Sequence, residues 1–228
     1  MQNQKLRHEL KHTINISDYI ALRQRLRAIA KQDPHVGKDG NYKIRSLYFD
    51  NIHDKALLEK INGVNNREKF RIRCYDDNFD YIKLEKKSKI NGLCSKAATR
   101  LTKDQCEKII AGDIGWMKDS EQPLLVELYT KMNFQQLRPK TLVDYIREPY
   151  IYEPGNVRIT IDSNIRTGIN SRELFNQDVA TMKTHNDNMI VLEVKFDEFL
   201  PSIIRDIIQV NNRQNSAFSK YAVCRMFG

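Results

Sequence analysis

Four stretches of this chain alternate charged and apolar residues with a period of two, the spacing at which successive side chains of a β-strand reach opposite faces. In residues 67–75, REKFRIRCY, the odd positions carry Arg67, Lys69, Arg71, Arg73 and Tyr75, and the even ones Phe70, Ile72 and Cys74. Residues 81–87, YIKLEKK, set Lys83, Glu85 and Lys87 against Ile82 and Leu84. Residues 157–162, VRITID, set Arg158, Thr160 and Asp162 against Val157, Ile159 and Ile161. In 190–196, IVLEVKF, Glu193 and Lys195 oppose Ile190, Leu192, Val194 and Phe196. With their flanks these stretches predict strands at 66–76, 80–88, 157–165 and 189–197, and further strands are expected at 5–14, 42–50 and 140–148.

Helix signals are few and local. Ser17 is expected to cap a helix over 18–31, where Ile20, Leu22, Leu26 and Ile29 form an apolar stripe. Thr102 and Gln105 form a capping box opening 103–111, which Gly112 closes. Residues 53–61 end before Gly63, a fourth helix covers about 124–136, and Pro201 stands as the first helical residue of 201–210. The stretches 31–41 and 148–156 read as loops, and 171–188 as a polar, exposed segment with room for a short helix. These helices are too short and scattered for a bundle, so they are expected to cover the outside of a sheet.

Ordinary half-buried strands mix the signs of their outward charges, because like charges stacked on one face repel. Here one face of residues 67–75 is almost purely cationic. Two like charges about 6 Å apart at an effective dielectric of about 20 repel by roughly 3 kcal/mol, so several such faces side by side need a polyanion between them. Arg and Lys suit phosphate oxygens in geometry and charge. The expected fold is therefore α+β: a closed antiparallel β-barrel with a basic interior and apolar outer faces covered by short helices. For any single strand, a solvated face of an open sheet is the better reading; four strands of the same polarity, joined to a basic net charge, favour the barrel.

The composition agrees. There are 38 Lys plus Arg against 29 Asp plus Glu, a formal net charge of +9, which suits nucleic acid, an anionic membrane surface or phosphates. Nucleic acid is disfavoured, since the basic faces carry few aromatics to stack bases and include Glu85 and Glu193. Cys74, Cys94, Cys106 and Cys224 form no C-x-x-C pair, pointing to neither zinc nor a disulfide framework, and a reduced, cytoplasmic protein is expected. The histidines His8, His12, His35, His53 and His185 show no ligand spacing and are expected on the surface or in loops. The N-terminal residues MQNQKLRHELKHTI lack the apolar stretch of a signal peptide, and no apolar run approaches the roughly 20 residues that span a bilayer. With no linker or repeat apparent, residues 1–228 are taken as one domain, although the length also admits two small ones.

Eight segments, RHELKH (7–12), IRSLYFDN (44–51), REKFRIRCYD (67–76), YIKLEKKSK (81–89), DYIREPY (144–150), VRITIDSNIR (157–166), VLEVKFD (191–197) and SKY (219–221), occur in an order that resembles the polyphosphate-polymerase domain of the vacuolar transporter chaperone (VTC) family. That family lies within the CYTH-like triphosphate tunnel metalloenzyme group. The resemblance implies an antiparallel barrel around a basic tunnel, and transfer of the γ-phosphate of ATP or another NTP to a growing polyphosphate chain with Mn2+ or Mg2+. It further implies that Arg71, Arg73, Lys83 and Lys195 act in catalysis. Lys11, Arg45, Lys87, Lys96, Arg147, Arg158, Ser219 and Lys220 would bind phosphates, and Glu193, assisted by Glu9 and Glu85, would hold the metal. Glu9 and Lys11 could equally form a structural salt bridge, Glu193 and Lys195 could merely pair across the sheet, Tyr48 could simply pack, and Asp162 could neutralise Arg158 or Arg166.

One departure matters. The wider group often opens with E-x-E-x-K, whereas this chain has Arg7-His8-Glu9-Leu10-Lys11 and so lacks one carboxylate. The implied partners are ATP or NTP, triphosphate or polyphosphate, with a separate membrane protein needed for any translocation. A tunnel triphosphatase, with water as acceptor, and a non-enzymatic polyphosphate-binding module are the alternatives.

Overall fold

The computed structural model describes residues 7–91, 93–184, 189–209 and 218–226. Among these residues ten strands form one antiparallel sheet: β1 (His8–Ile14), β2 (Lys31–Gln32), β3 (Tyr42–Asp50), β4 (Arg67–Tyr75), β5 (Asn78–Ile90), β6 (Leu93–Leu101), β7 (Arg138–Tyr152), β8 (Val157–Gly168), β9 (Met182–Lys183) and β10 (Ile190–Phe196). The main path runs β1-β10-β8-β7-β3-β4-β5-β6, with β2 paired to β7 and β9 to β8. The sheet curls until its two ends meet, where an antiparallel bridge joins Arg7 to Cys94.

The charged faces turn inward and the apolar faces outward. Phe70, Ile72 and Cys74 of β4 and Ile82 and Leu84 of β5 are buried in one outer cluster with residues of α3 (Lys103–Ala111) and α4 (Pro123–Phe134). Val157, Ile159, Ile161, Leu192 and Val194 pack in a second cluster against Leu22 and Leu26 of α1 (Ile16–Ile29) and Ile204 and Ile208 of α5 (Ser202–Ile208). The hydrophobic core thus lies between barrel and helices. A third cluster gathers around α6 (Lys220–Arg225), whose Tyr221 stacks on Tyr48 at 5.0 Å and donates its hydroxyl to Asp50 Oδ2 at 2.6 Å.

Several boundaries differ from those expected. Asn15, not Ser17, caps α1, because Asn15 and Asp18 satisfy each other's backbone N–H groups in a reciprocal box. Pro201 is the N-cap of α5 rather than its first residue, and the helix ends at Ile208; residue 210 lies outside the described residues, as do residues 5 and 6 of the first expected strand and His185. The helix expected at 53–61 is α2 (Lys55–Ile61); its start is set by Asp50, whose carboxylate accepts from the N–H groups of Ala56 and Leu57.

Residues 148–152 are strand, not loop. β7 continues through Pro149, since β8 pairs with it as far as Tyr152, and the 31–41 loop begins with β2 on its other side. Expected as surface or loop residues, His8 and His12 lie in β1, and the exposed His8 ring stacks on Phe196 at 5.1 Å. β6 and α6 were not expected. In the 171–188 stretch, Leu174 is buried and β9 pairs with β8. Among the described residues all four cysteines are free, and no helix is long and apolar enough to cross a membrane.

Candidate functional site

Inside the barrel lies a cavity of about 330 Å³. Among the described residues, eleven Lys and Arg side chains line it against three Glu. A second recess of about 450 Å³ shares Lys11, Lys69, Lys87 and Ser219 with it and extends past Lys60 of α2, Arg67 and Lys89, so the two form one passage. Parity along the strands explains the convergence: Lys69, Arg71 and Arg73 on β4, Glu85 and Lys87 on β5, and Glu193 and Lys195 on β10 are all odd positions on inward faces.

Carboxylates hold the cations at three points. Glu85, buried, takes Arg71 Nη2 at 2.6 Å, Lys96 Nζ at 2.5 Å and Arg73 Nη1 at 3.5 Å. Arg71 Nη1 also donates to the Tyr48 hydroxyl at 2.7 Å, and Arg73 Nη2 to that of Tyr145 at 3.0 Å. Burial pushes the Glu85 carboxyl up, but Arg71, Arg73 and Lys96 outweigh it and hold the group far below the usual carboxylate range. Asp162, fully buried, receives Arg147 Nε and Nη2, each at 2.7 Å, and Lys220 Nζ at 2.5 Å. Those two cations overcome the desolvation that would otherwise raise its pKa.

The third point joins two acids. Glu9 accepts Lys87 Nζ on both oxygens at 2.8 Å, and Lys195 Nζ lies 2.6 Å from Glu193. Lys11 and Lys195 bridge the two carboxylates: Lys11 lies 3.2 Å from Glu9 and 3.8 Å from Glu193, and Lys195 lies 3.7 Å from Glu9. Burial works to protonate Glu193, yet Lys195, Lys11 and Arg147 hold it well below the ordinary value. Two ionised carboxylates side by side form a hard oxygen donor set suited to Mg2+ or Mn2+, which take few protein ligands when phosphate and water supply the rest. Among the described residues no three His, Cys, Asp or Glu gather as a metal site, so the remaining ligands of such an ion would come from substrate and solvent. The third lining carboxylate, Glu85, is held by Arg71, Arg73 and Lys96.

Thirteen of the fifteen residues singled out from the sequence line the cavity: Lys11, Arg71, Arg73, Lys87, Lys96, Arg147, Arg158, Lys195, Ser219, Lys220, Glu9, Glu85 and Glu193. Two do not. Arg45 lies on the outer face of β3, buried, with Nη2 2.8 Å from Asp144 Oδ2 and Nη1 donating to the Asn176 carbonyl at 2.5 Å; its odd position puts it opposite Ser46 and Tyr48. Lys83 shares the inward parity but stands beyond the cavity, its Nζ 4.6 Å from the Tyr81 ring centroid.

Asp162 serves Arg147 and Lys220 instead of Arg158 or Arg166. Arg158 Nη2 donates to Asp33 at 2.9 Å, and Arg166 Nε to Thr181 at 2.8 Å. Tyr48 does more than pack, since it lines the cavity and takes a hydrogen bond from Arg71. Sequence reasoning passed over Lys69 and Thr160 as site residues. Lys69 lay in plain view on the cationic face of 67–75; among the described residues it has no ion pair, and desolvation, then Lys87 and Arg71, drive its pKa well below that of an ordinary lysine. Thr160 Oγ1 is buried on the cavity wall without a hydrogen-bond partner among the described residues.

A family model described as VTC domain matches residues 6–227. No curated protein matches the chain. Among solved structures, a candidate adenylate cyclase from Bacillus halodurans is similar with a TM-score of 0.55 at 12% identity, over 91% of this chain and 88% of that one. A candidate adenylyl cyclase from Hippeastrum with a dominant triphosphatase activity is similar with a TM-score of 0.57 at 15% identity, over 96% and 95% of the two chains. At such identities the likeness shows the fold alone, and the fold is that of the triphosphate tunnel proteins.

Proposed function

The chain belongs to the VTC domain family, and we propose that it is a metal-dependent polyphosphate polymerase that moves the γ-phosphate of a nucleoside triphosphate onto a polyphosphate chain. The observation that carries this reading is the lining of the passage, eleven cations against three carboxylates. Such an excess is repulsive when empty and becomes favourable when a linear polyanion threads it.

Glu193 and Glu9 would hold Mg2+ or Mn2+, which when bound neutralises charge on the phosphate oxygens. The protein's own cations do the rest. Phosphoryl transfer needs little covalent help, so its catalysts are positioning and charge stabilisation. Arg71 and Arg73 line the cavity and are held in place by Glu85, Tyr48 and Tyr145. Arg147 and Lys220 are held likewise by Asp162. An acceptor chain would approach through the recess lined by Lys60, Arg67 and Lys89, which opens on Lys69 and Lys87.

A tunnel triphosphatase is the second reading, favoured by the triphosphatase activity of the Hippeastrum neighbour. Purified protein incubated with ATP and Mn2+ separates the two when chain growth is followed on a gel and orthophosphate in solution. Long chains support the polymerase, orthophosphate alone supports the hydrolase, and neither product despite tight binding leaves a polyphosphate-binding module. Glu193→Gln is expected to lower metal-dependent turnover on the order of a hundredfold, while tripolyphosphate binding without metal survives.

A further inference from the structure

We propose that Tyr42, Tyr75 and Tyr81 form a docking rim for the base of a nucleoside triphosphate, so that substrate enters the passage from this end with its phosphates leading. The inference rests on the triphosphate reading above and gives it a direction. The Tyr75 ring, at the end of β4, meets Tyr42 edge-on, with centroids 5.7 Å apart and planes at 72°. On its other side Tyr75 lies 6.0 Å from Tyr81, tilted by 46°. Tyr42 and Tyr75 line the cavity, and Tyr81 continues the row beyond it.

Cations accompany the rings. Lys83 Nζ and the Arg100 guanidinium each lie 4.6 Å from the Tyr81 centroid, and the Arg73 guanidinium lies 5.9 Å from that of Tyr75. The recess at the other end differs in kind. Its border is Lys60, Arg67 and Lys89, and its Tyr221 is already stacked on Tyr48 and hydrogen-bonded to Asp50.

A nucleobase offers a flat π-face that stacks on tyrosine and on guanidinium planes, and any base can do so. Inorganic polyphosphate has no such face and gains nothing from the rings. With the base on Tyr75 and Tyr81, Lys83 and Arg100 stand where the first phosphate would follow, and Arg73 leads inward. This accounts for Lys83, which shares the strand parity of the cavity residues yet lies outside the lining. Stacking on the rings is tolerant of base identity, and Lys83 and Arg100 meet the phosphates, so ATP and GTP are expected to bind alike.

The test is titration calorimetry of ATP and of tripolyphosphate, each with Mg2+, against the wild type, Tyr81→Ala, Tyr75→Ala and Tyr81→Phe. Loss of stacking is expected to weaken ATP about tenfold or more in both alanine variants and to leave tripolyphosphate within about twofold, with Tyr81→Phe retaining both affinities. Retained tripolyphosphate binding also shows that the variants are folded. Unchanged ATP affinity, or equal weakening of both ligands, overturns the docking rim while leaving the phosphate passage in place. A wild type that binds neither ligand takes down the triphosphate reading itself, and this inference with it.

Discussion

Replacing Glu85 by Gln removes one negative charge from the most crowded point of the passage and barely changes its shape. The side chain is 2% exposed and touches Arg71, Arg73 and Lys96 at 2.6, 3.5 and 2.5 Å. Deleting one partner of a buried ion pair costs about 3–5 kcal/mol. At roughly 2–4 °C per kcal/mol for a chain of this size, Tm should fall by about 6–20 °C. Tripolyphosphate supplies the missing anion, so its stabilising effect should be larger in the variant than in the wild type.

Acid adds an independent readout. The folded-state pKa of Glu85 is depressed, so its contribution is fully present above the unfolded value of 4.5 and is lost as pH falls below it. Thermal melts from pH 7 down to pH 3 should therefore show a shallower loss in Glu85→Gln than in the wild type. Glu9 and Glu193 keep the slope from vanishing, since both are also depressed. A variant as stable as the wild type, or one whose ligand shift is no larger, would refute the idea that Glu85 offsets tunnel repulsion.

Lys69→Met should raise the Tm of the ligand-free protein, because it removes a cation with no ion pair among the described residues. The same change should weaken tripolyphosphate about ten- to hundredfold, the loss of one charge-assisted hydrogen bond of about 1.5–3 kcal/mol; titration calorimetry reads both forms. In the wild type the depressed pKa of Lys69 makes stability rise with pH between its folded value and 10.5, and this rise should be shallower in the variant's melts, where Lys60, Lys87 and Lys96, also depressed, supply the remainder. Arg45→Met should lower Tm through its stranded partner Asp144, with tripolyphosphate affinity unchanged in the same calorimetric titration.

Period-two alternation located the inward faces of β4, β5, β8 and β10 because charge there is dense enough to see residue by residue. It missed β6, LCSKAATRL, whose inner face carries Lys96 and Arg100 separated by Ala98, and whose outer face between Leu93 and Leu101 holds Ser95, Ala97 and Thr99, too small or polar to read as an apolar run. α6 escaped for a different reason: six residues carry too short a pattern, and Tyr221 and Cys224 are buried by the barrel end they cap, a tertiary fact. Arg45 was misplaced because its motif was taken whole, although parity with Tyr48 already put it on the other face. Which acid holds which cation depends on register across strands distant in sequence, such as Lys87 with Glu9, and nothing local encodes it.

The meeting of β1 with β6 has a mechanical consequence. Elsewhere around the ring, ladders of several residue pairs lock neighbouring strands, whereas among the described residues this seam has the one Arg7–Cys94 bridge and, beside it, the Lys87–Glu9 ion pair. A join made of charge yields to ionic strength and to acid more readily than one made of amide ladders. Among the described residues the cylinder is thus zipped along most of its girth and latched on one line, which makes that line the natural place for it to gape.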